Sequence, residues 1–391
     1  MSTLSLMGQA LHFERVDQMG SQQFAIFDRS NSLTTDADGN VFITGYFQST
    51  ADFDPGPASA TLTSINGQSD AFVAKYDSVG TFQWVAHLAG INVEIGEAIA
   101  VDDSGNVFIG GRFGDTTDFD PGPGVMNLVP VAASDAFVLK LTSNGQFVWV
   151  RQLRGSNALD MVTDTNGNIY TVGNFSGTID FDPGPALDQA TSNGSTDFYI
   201  WKLSPAGNLV WGHSFGWVSS DRVQAVDIDD AGNLYMTGFF AATVDFDPGF
   251  GVFNLTASSG CYVLKLTAGG AFVWARTVQD NGAGGASTSE GFGVAADALG
   301  NVYITGNFNF SVDFDPGPGV ALETVSTYAD LFVFKLDSLG NFCWVYTIGG
   351  NDYDVGLALD VDPKHNVYVA GTYANVVDFD NGPNSTILTS P

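Results

Sequence analysis

Apolar residues fall in short blocks, such as Val302-Tyr303-Ile304-Thr305 and Tyr262-Val263-Leu264, that are hydrophobic on both sides and bounded by Gly, Asn, Asp and Pro. No long stretch keeps the 3.6-residue spacing of an amphipathic helix, and 47 of the 391 residues are Gly, which disfavours helix further. Blocks of this length predict short β-strands covered on both faces.

The blocks recur in one order about every 65 residues, the signature of an array of small units that bury their apolar faces against neighbours. Each recurrence carries Asp-Phe-Asp-Pro-Gly, starting at Asp52, Asp118, Asp180, Asp245 and Asp313, with Asp-Phe-Asp-Asn-Gly at Asp378. A unit opens with a small-residue strand ending in Asp, as in Ala98-Ile99-Ala100-Val101-Asp102. A Gly-Asn pair follows at Gly39, Gly105, Gly167, Gly232 and Gly300, with His365-Asn366 in the last copy; it tolerates positive φ and reads as a hairpin turn into the second strand. The third strand carries Lys75, Lys140, Lys202, Lys265 or Lys335, and the fourth carries Trp84, Trp149, Trp211, Trp274 or Trp344. Four short antiparallel strands per unit predict a propeller blade.

The first two strands and the Asp-Phe-Asp segment recur six times, the Lys and Trp strands five times. Near the start, Phe13-Glu14-Arg15-Val16 followed by Met19-Gly20 lines up with Phe147-Val148-Trp149-Val150, and Thr3-Leu4-Ser5-Leu6 stands where the preceding strand belongs. The expected architecture is all-β: a six-bladed β-propeller of four-stranded antiparallel blades, one domain over residues 1–391, its last blade closed by N-terminal strands. The alternative is that these strands close a blade of the next molecule, giving a head-to-tail polymer. The economy of local closure favours the single chain.

Two segments carry a family likeness. Asp297-Ala298-Leu299-Gly300-Asn301-Val302-Tyr303-Ile304-Thr305-Gly306 and Asp135-Ala136-Phe137-Val138-Leu139-Lys140-Leu141 match the repeat of the bacterial propeller family called SBBP, which the chain resembles over nearly its whole length. The resemblance implies a propeller and, in many members, an extracellular or surface location; it implies no single activity. The family name denotes seven blades where the count here is six, and Asp-Phe-Asp-Pro-Gly is a distinct form of its loop.

Charge narrows the partners. The chain has 43 Asp plus Glu against 13 Lys plus Arg, a formal charge of −30, which argues against nucleic acid or anionic membrane as a partner. No run of 18 apolar residues exists to span a membrane, and the first residues lack the features of a signal peptide. Cys261 and Cys343 lie in different kinds of strand in different units and read as packed free thiols.

The repeated carboxylates Asp52, Asp54, Asp118, Asp120, Asp180, Asp182, Asp245, Asp247, Asp313, Asp315, Asp378 and Asp380 are the candidate site. In an extended segment residues i and i+2 share a side, so the two acids of each motif lie together while Phe points into the packing between blades. Two adjacent carboxylates attract a cation, and calcium is the candidate cofactor, with carbonyls of the Pro-Gly turn as further oxygens. The competing reading is a latch: one Asp caps the Pro-Gly turn, and the other, or the Asp opening the Lys strand, neutralises the buried Lys.

The Trp repeat reads as packing, and Trp201 and Trp217, which break the repeat, are the better ligand candidates. The four His are scattered, and no phosphate loop, Ser elbow or zinc spacing is present. The expectation is therefore a non-enzymatic extracellular or cell-surface scaffold with a structural, adhesive or protein-binding role and a protein or glycan partner at the cell surface; the alternatives are a lectin-like propeller or the repeating subunit of an extracellular fibre joined by strand exchange. The variable loops 58–69 and 319–329 are its expected recognition surface.

Overall fold

The computed structural model describes residues 28–280, 287–325, 328–380 and 385–390. Among them, five antiparallel sheets have four strands each, in chain order across the sheet. The first sheet is Arg29–Thr35, Val41–Phe47, Asp70–Tyr76 and Phe82–Leu88; the second is Glu94–Val101, Val107–Phe113, Asp135–Leu141 and Phe147–Leu153. Asp160–Thr163, Ile169–Phe175, Asp197–Leu203 and Leu209–Phe215 form the third, and Arg222–Ile228, Leu234–Asp245, Asn254–Leu266 and Phe272–Thr277 the fourth. The fifth is Ser289–Ala296, Val302–Phe308, Asp330–Leu336 and Phe342–Ile348. A sixth sheet has two strands among the described residues, Val355–Val361 and Val367–Thr372.

Five of the six expected all-β units of four antiparallel strands are therefore present among the described residues. The first strands of successive sheets adjoin one another from the first sheet to the sixth. The N-terminal strands expected to complete the last blade, Thr3–Leu6 and Phe13–Val16, lie outside the described residues.

The turn chemistry follows the sequence closely. In Asp36–Asn40, the Gly39 amide donates to the Asp36 carbonyl at 3.0 Å, and Gly39 sits at φ +78°. His365 takes that left-handed position in the last copy at φ +63°. The Asn of the motif is needed for its side chain: Asn40 Nδ2 donates to Asp36 Oδ2 at 2.7 Å, and Asn168, Asn233, Asn301 and Asn366 do the same to their Asp.

The core lies between sheets rather than within one. One cluster joins Ala71 and Val73 of the first sheet to Phe113 and Phe119 of the second repeat; another joins Val138 and Trp149 to Phe181 of the third. The same pairing unites Val172 with Phe246 and Val263 with Phe314. The Phe of the first five Asp-Phe-Asp segments is buried, as expected, whereas Phe379 of the sixth is only part-buried. Phe53 differs, because its cluster contains only residues of the first repeat.

Candidate functional site

Each Asp-Phe-Asp segment ends the first strand of a small hairpin, such as Thr50–Asp52 with Thr61–Thr63, built outside the main sheet; in the fourth repeat the hairpin continues the long strands Leu234–Asp245 and Asn254–Leu266. The first Asp ties the loop shut. Asp52 Oδ1 accepts the amides of Asp54 at 3.1 Å and Ala60 at 2.9 Å; Asp118 accepts those of Asp120 and Met126, and Asp180 those of Asp182 and Asp188. Asp245, Asp313 and Asp378 repeat the pattern with Phe253, Ala321 and Thr386. These amide donors hold Asp52 and Asp378 below the usual carboxylate range.

The second Asp caps the Pro-Gly turn, as one branch of the latch reading expected. Gly56 donates to Asp54 at 2.7 Å, Gly122 to Asp120, Gly184 to Asp182, Gly249 to Asp247 and Gly317 to Asp315. Asp380 donates its amide to Asp378 at 3.1 Å. Among the described residues, no three His, Cys, Asp or Glu side chains group as a metal centre.

The other branch of the latch is corrected. The lysines reach neither the Asp-Phe-Asp loop nor the Asp that opens their own strand. Each lies over the ring of the second strand, Phe42, Phe108, Tyr170, Tyr235 or Tyr303, at 4.6–4.8 Å from the centroid. Three of them pair with the hairpin-turn Asp of the same sheet: Lys140 with Asp102 at 3.7 Å, Lys202 with Asp164 at 3.9 Å and Lys335 with Asp297 at 3.8 Å. The strand's register explains this, since Lys140 pairs with Phe108 six residues past the turn Asp, well away from the outer hairpin.

Four of these lysines also grip the neighbouring sheet. Lys75 Nζ donates to the Ser143 carbonyl at 3.4 Å and Trp84 Nε1 to that same carbonyl at 3.1 Å. Lys140 and Trp149 share the Pro205 carbonyl at 3.3 and 3.1 Å, and Lys265 and Trp274 share that of Ser338 at 3.4 and 3.1 Å. Lys202 reaches Ala268 at 3.0 Å with Tyr170 as the second donor, while Trp211 stacks on His213. The packing role expected for the repeated Trp thus includes a directional bond to the next sheet, which alternation of apolar residues could not reveal.

Trp201 is no ligand candidate: it is buried and donates to the Phe181 carbonyl at 2.8 Å. Trp217 is exposed. Both thiols are free, but only Cys261 is packed; Cys343 is exposed.

Acids at three junctions were missed by the sequence reading. The Glu94 amide bonds the Ser69 carbonyl, Asp221 that of Thr196 and Asp354 that of Ala329, each at 2.8 Å, which sets Glu94 beside Asp70, Asp221 beside Asp197 and Asp354 beside Asp330. Burial, reinforced by the Asp70 charge against a hydrogen bond from Thr117, pushes Glu94 up to about 7. Burial and Asp354 push Asp330 up to about 6. The signal available was the acid opening the first strand, which recurs irregularly and so escapes a repeat count.

Four of the loops expose an aliphatic side chain at one position. Seven residues past the first Asp stand Val125, Leu187, Val252 and Val320, exposed to 73, 75, 71 and 76 %. Phe250 beside Val252 is also fully exposed. A cleft of about 360 Å³ separates the fifth loop, Asp315 to Gly319, from Arg276 and Gly340.

No family model matches the chain. It is 22 % identical over 88 % of its length to an uncharacterized WD repeat-containing protein, L264, of Acanthamoeba polyphaga mimivirus, and covers 30 % of that protein. It is 24 % identical over 50 % of its length to the regulatory protein FlaEY of Caulobacter vibrioides, covering 20 % of it. The chain thus spans less than a third of the curated relatives it matches. Among solved structures, the Pan2 WD40 domain of Neurospora crassa aligns over 92 % of this chain and 91 % of that one, at 10 % identity and a TM-score of 0.37.

Proposed function

We propose that the chain is a six-bladed propeller of SBBP type, one domain over residues 1–391, acting outside the cell or on its surface as a non-enzymatic protein-binding scaffold. The observation that carries the reading is the row of exposed aliphatic residues at one position of successive loops, each loop stapled by its own two carboxylates. Apolar side chains on rigid loops meet a partner with little loss of entropy, and the carboxylates around them repel acidic competitors. The WD-repeat name of one relative agrees with a scaffold. A formal charge of −30 agrees with a soluble partner rather than nucleic acid or lipid. Among the described residues no helix is long and apolar enough to cross a membrane.

The test is binding of the labelled full chain to whole cells and to surface-protein coats. Leu187→Asp with Val252→Asp abolishes binding without lowering the melting temperature if the row is the interface; unchanged binding refutes it. A glycan array tests the lectin reading, which the exposed Trp217 favours. Glycan binding lost in Trp217→Ala would replace the protein-binding reading.

Closure of the ring by the N-terminal strands belongs to this proposal. Asp160 Oδ2 accepts the Val226 amide at 2.8 Å and Asp227 Oδ2 the Ala296 amide at 2.7 Å, each one register position on in the next sheet's first strand. Asp360 holds the register of Asp227, two residues before the turn Asp, and Thr35 of the first sheet holds that of Ala296. A head-to-tail fibre is the other outcome, and mass in solution at high concentration separates the two.

Calcium at the Asp-Phe-Asp loops is a separate proposal: in the first five loops one oxygen of each carboxylate serves backbone amides, and the other is the ligand a cation would use. A rise in melting temperature with calcium that chelator reverses supports it; no shift leaves the amide staple alone.

A further inference from the structure

The junction of the third and fourth sheets buries two carboxylates without a side-chain donor. Asp70, Asp135 and Asp197 each open a third strand and are buried. His87 Nε2 meets Asp70 Oδ2 and Gln152 Nε2 meets Asp135 Oδ2, each at 2.6 Å. Ser214 holds the register of His87 and Gln152 in the third sheet, and its short side chain supplies no such bond. Asp197 Oδ2 accepts the Asn193 amide at 2.9 Å, while Oδ1, in a residue 2 % exposed, has no partner. Asp221, beside it and fully buried, has both oxygens on amides, Ala241 at 3.0 Å and Trp217 at 2.8 Å. Among the described residues no basic side chain acts on either carboxyl.

A third buried group faces the same junction. Tyr262 is 0 % exposed, its ring stacks on that of Phe198 at 5.1 Å, and its hydroxyl has no partner. Phe198 follows Asp197 in the chain, and the Asp221 charge acts on Asp197 and Tyr262 alike. Phe72, Phe137 and Phe332 hold the register of Tyr262 with no hydroxyl to satisfy, and Tyr199 spends its hydroxyl on the Asn157 carbonyl at 2.8 Å. Gly216 leaves space against the bare oxygen of Asp197, since a Cβ there would stand 2.6 Å from it.

We propose that Asp197 Oδ1 and the Tyr262 hydroxyl oxygen, with Asp221 as the second charge, hold a hard divalent cation of the calcium type. Two carboxylates in one dry junction need neutralising. A shared proton cancels one charge and leaves the Tyr262 oxygen bare; a water reaches both bare oxygens and cancels no charge. A divalent cation does both, and an all-oxygen donor set selects calcium over zinc or copper. The site has two acids rather than three, its further donor being a phenol, and it is separate from the Asp-Phe-Asp loops.

Calcium alone is the probe, applied to the full chain in equilibrium dialysis. Asp197→Asn should remove one bound ion per chain. Tyr262→Phe, which keeps the ring stack, should weaken that ion at least about tenfold. Asp182→Asn, in the Asp-Phe-Asp loop of the same repeat, should leave this ion in place, so that this site and calcium at the loops fail separately. Melts in chelator show whether each variant is folded, and if Asp197→Asn is not, Tyr262→Phe decides alone. An ion count unchanged in Asp197→Asn, or an affinity unchanged in Tyr262→Phe, overturns the proposal. An infrared band of a protonated buried carboxyl, present at neutral pH with calcium and lost in Asp197→Asn, gives the site to a proton and defeats it as well.

Discussion

Alkaline titration should weaken the junction between the first two sheets, and Glu94→Gln should remove that weakness. Glu94 is fully buried beside Asp70, and its folded-state value of about 7 lies above the 4.5 of the free side chain. Between those values the folded protein holds the proton more tightly than the unfolded chain, so the stability this group contributes is full below pH 4.5 and is lost as pH rises through 7. The interval of about 2.5 units corresponds to about 3 kcal/mol. With an unfolding entropy of about 2.1 cal/mol/K per residue, the 391-residue chain loses about 4 °C of melting temperature from this group. Gln keeps the oxygen that accepts the Thr117 hydroxyl, now at 3.0 Å, and cannot ionise. Calorimetric melts of both proteins from pH 4.5 to 8 should therefore coincide at the acid end and separate by about 4 °C in favour of the variant at the alkaline end. A difference that stays constant with pH, or one that grows toward acid, refutes the reasoning.

The remaining expectations are simpler. Lys140→Met leaves Asp102 buried without its cation and the Pro205 carbonyl with one donor, and should cost about 3 kcal/mol in urea unfolding. Asp118→Ala removes the acceptor for the Asp120 and Met126 amides; it should cost about 1–2 kcal/mol, with faster amide exchange confined to that loop. Iodoacetamide should modify the exposed Cys343 in the native protein and Cys261 only after unfolding, because burial pushes the Cys261 thiol up to about 12; mass spectrometry reads the order.

Much of the fold was legible because the repeat multiplies weak signals. One Gly-Asn pair predicts a hairpin poorly, but the same pair between the same two strands in successive units leaves no other reading, and the backbone agrees down to the positive φ of Gly39, Gly105 and Gly167. The motif's Phe was legible for the same reason. The lysine's partner was not, because strand register, invisible in the sequence, places Lys140 opposite Phe108 and over its ring. Trp201 looked unassigned only because its acceptor, the Phe181 carbonyl, is a backbone atom 20 residues away. The Asp70–Glu94 pair escaped notice because it forms between units, where an alignment of one unit on another has no column for it.

The account's central claim is a ring in which the sixth sheet lies against the first. Spin labels at Leu33→Cys and Leu357→Cys, in a Cys343→Ser background, report the gap between their first strands. The account predicts strong dipolar broadening at a separation on the order of the 10 Å at which sheets pack, unchanged by dilution with unlabelled protein. A separation several times longer, or broadening lost on that dilution, would contradict it.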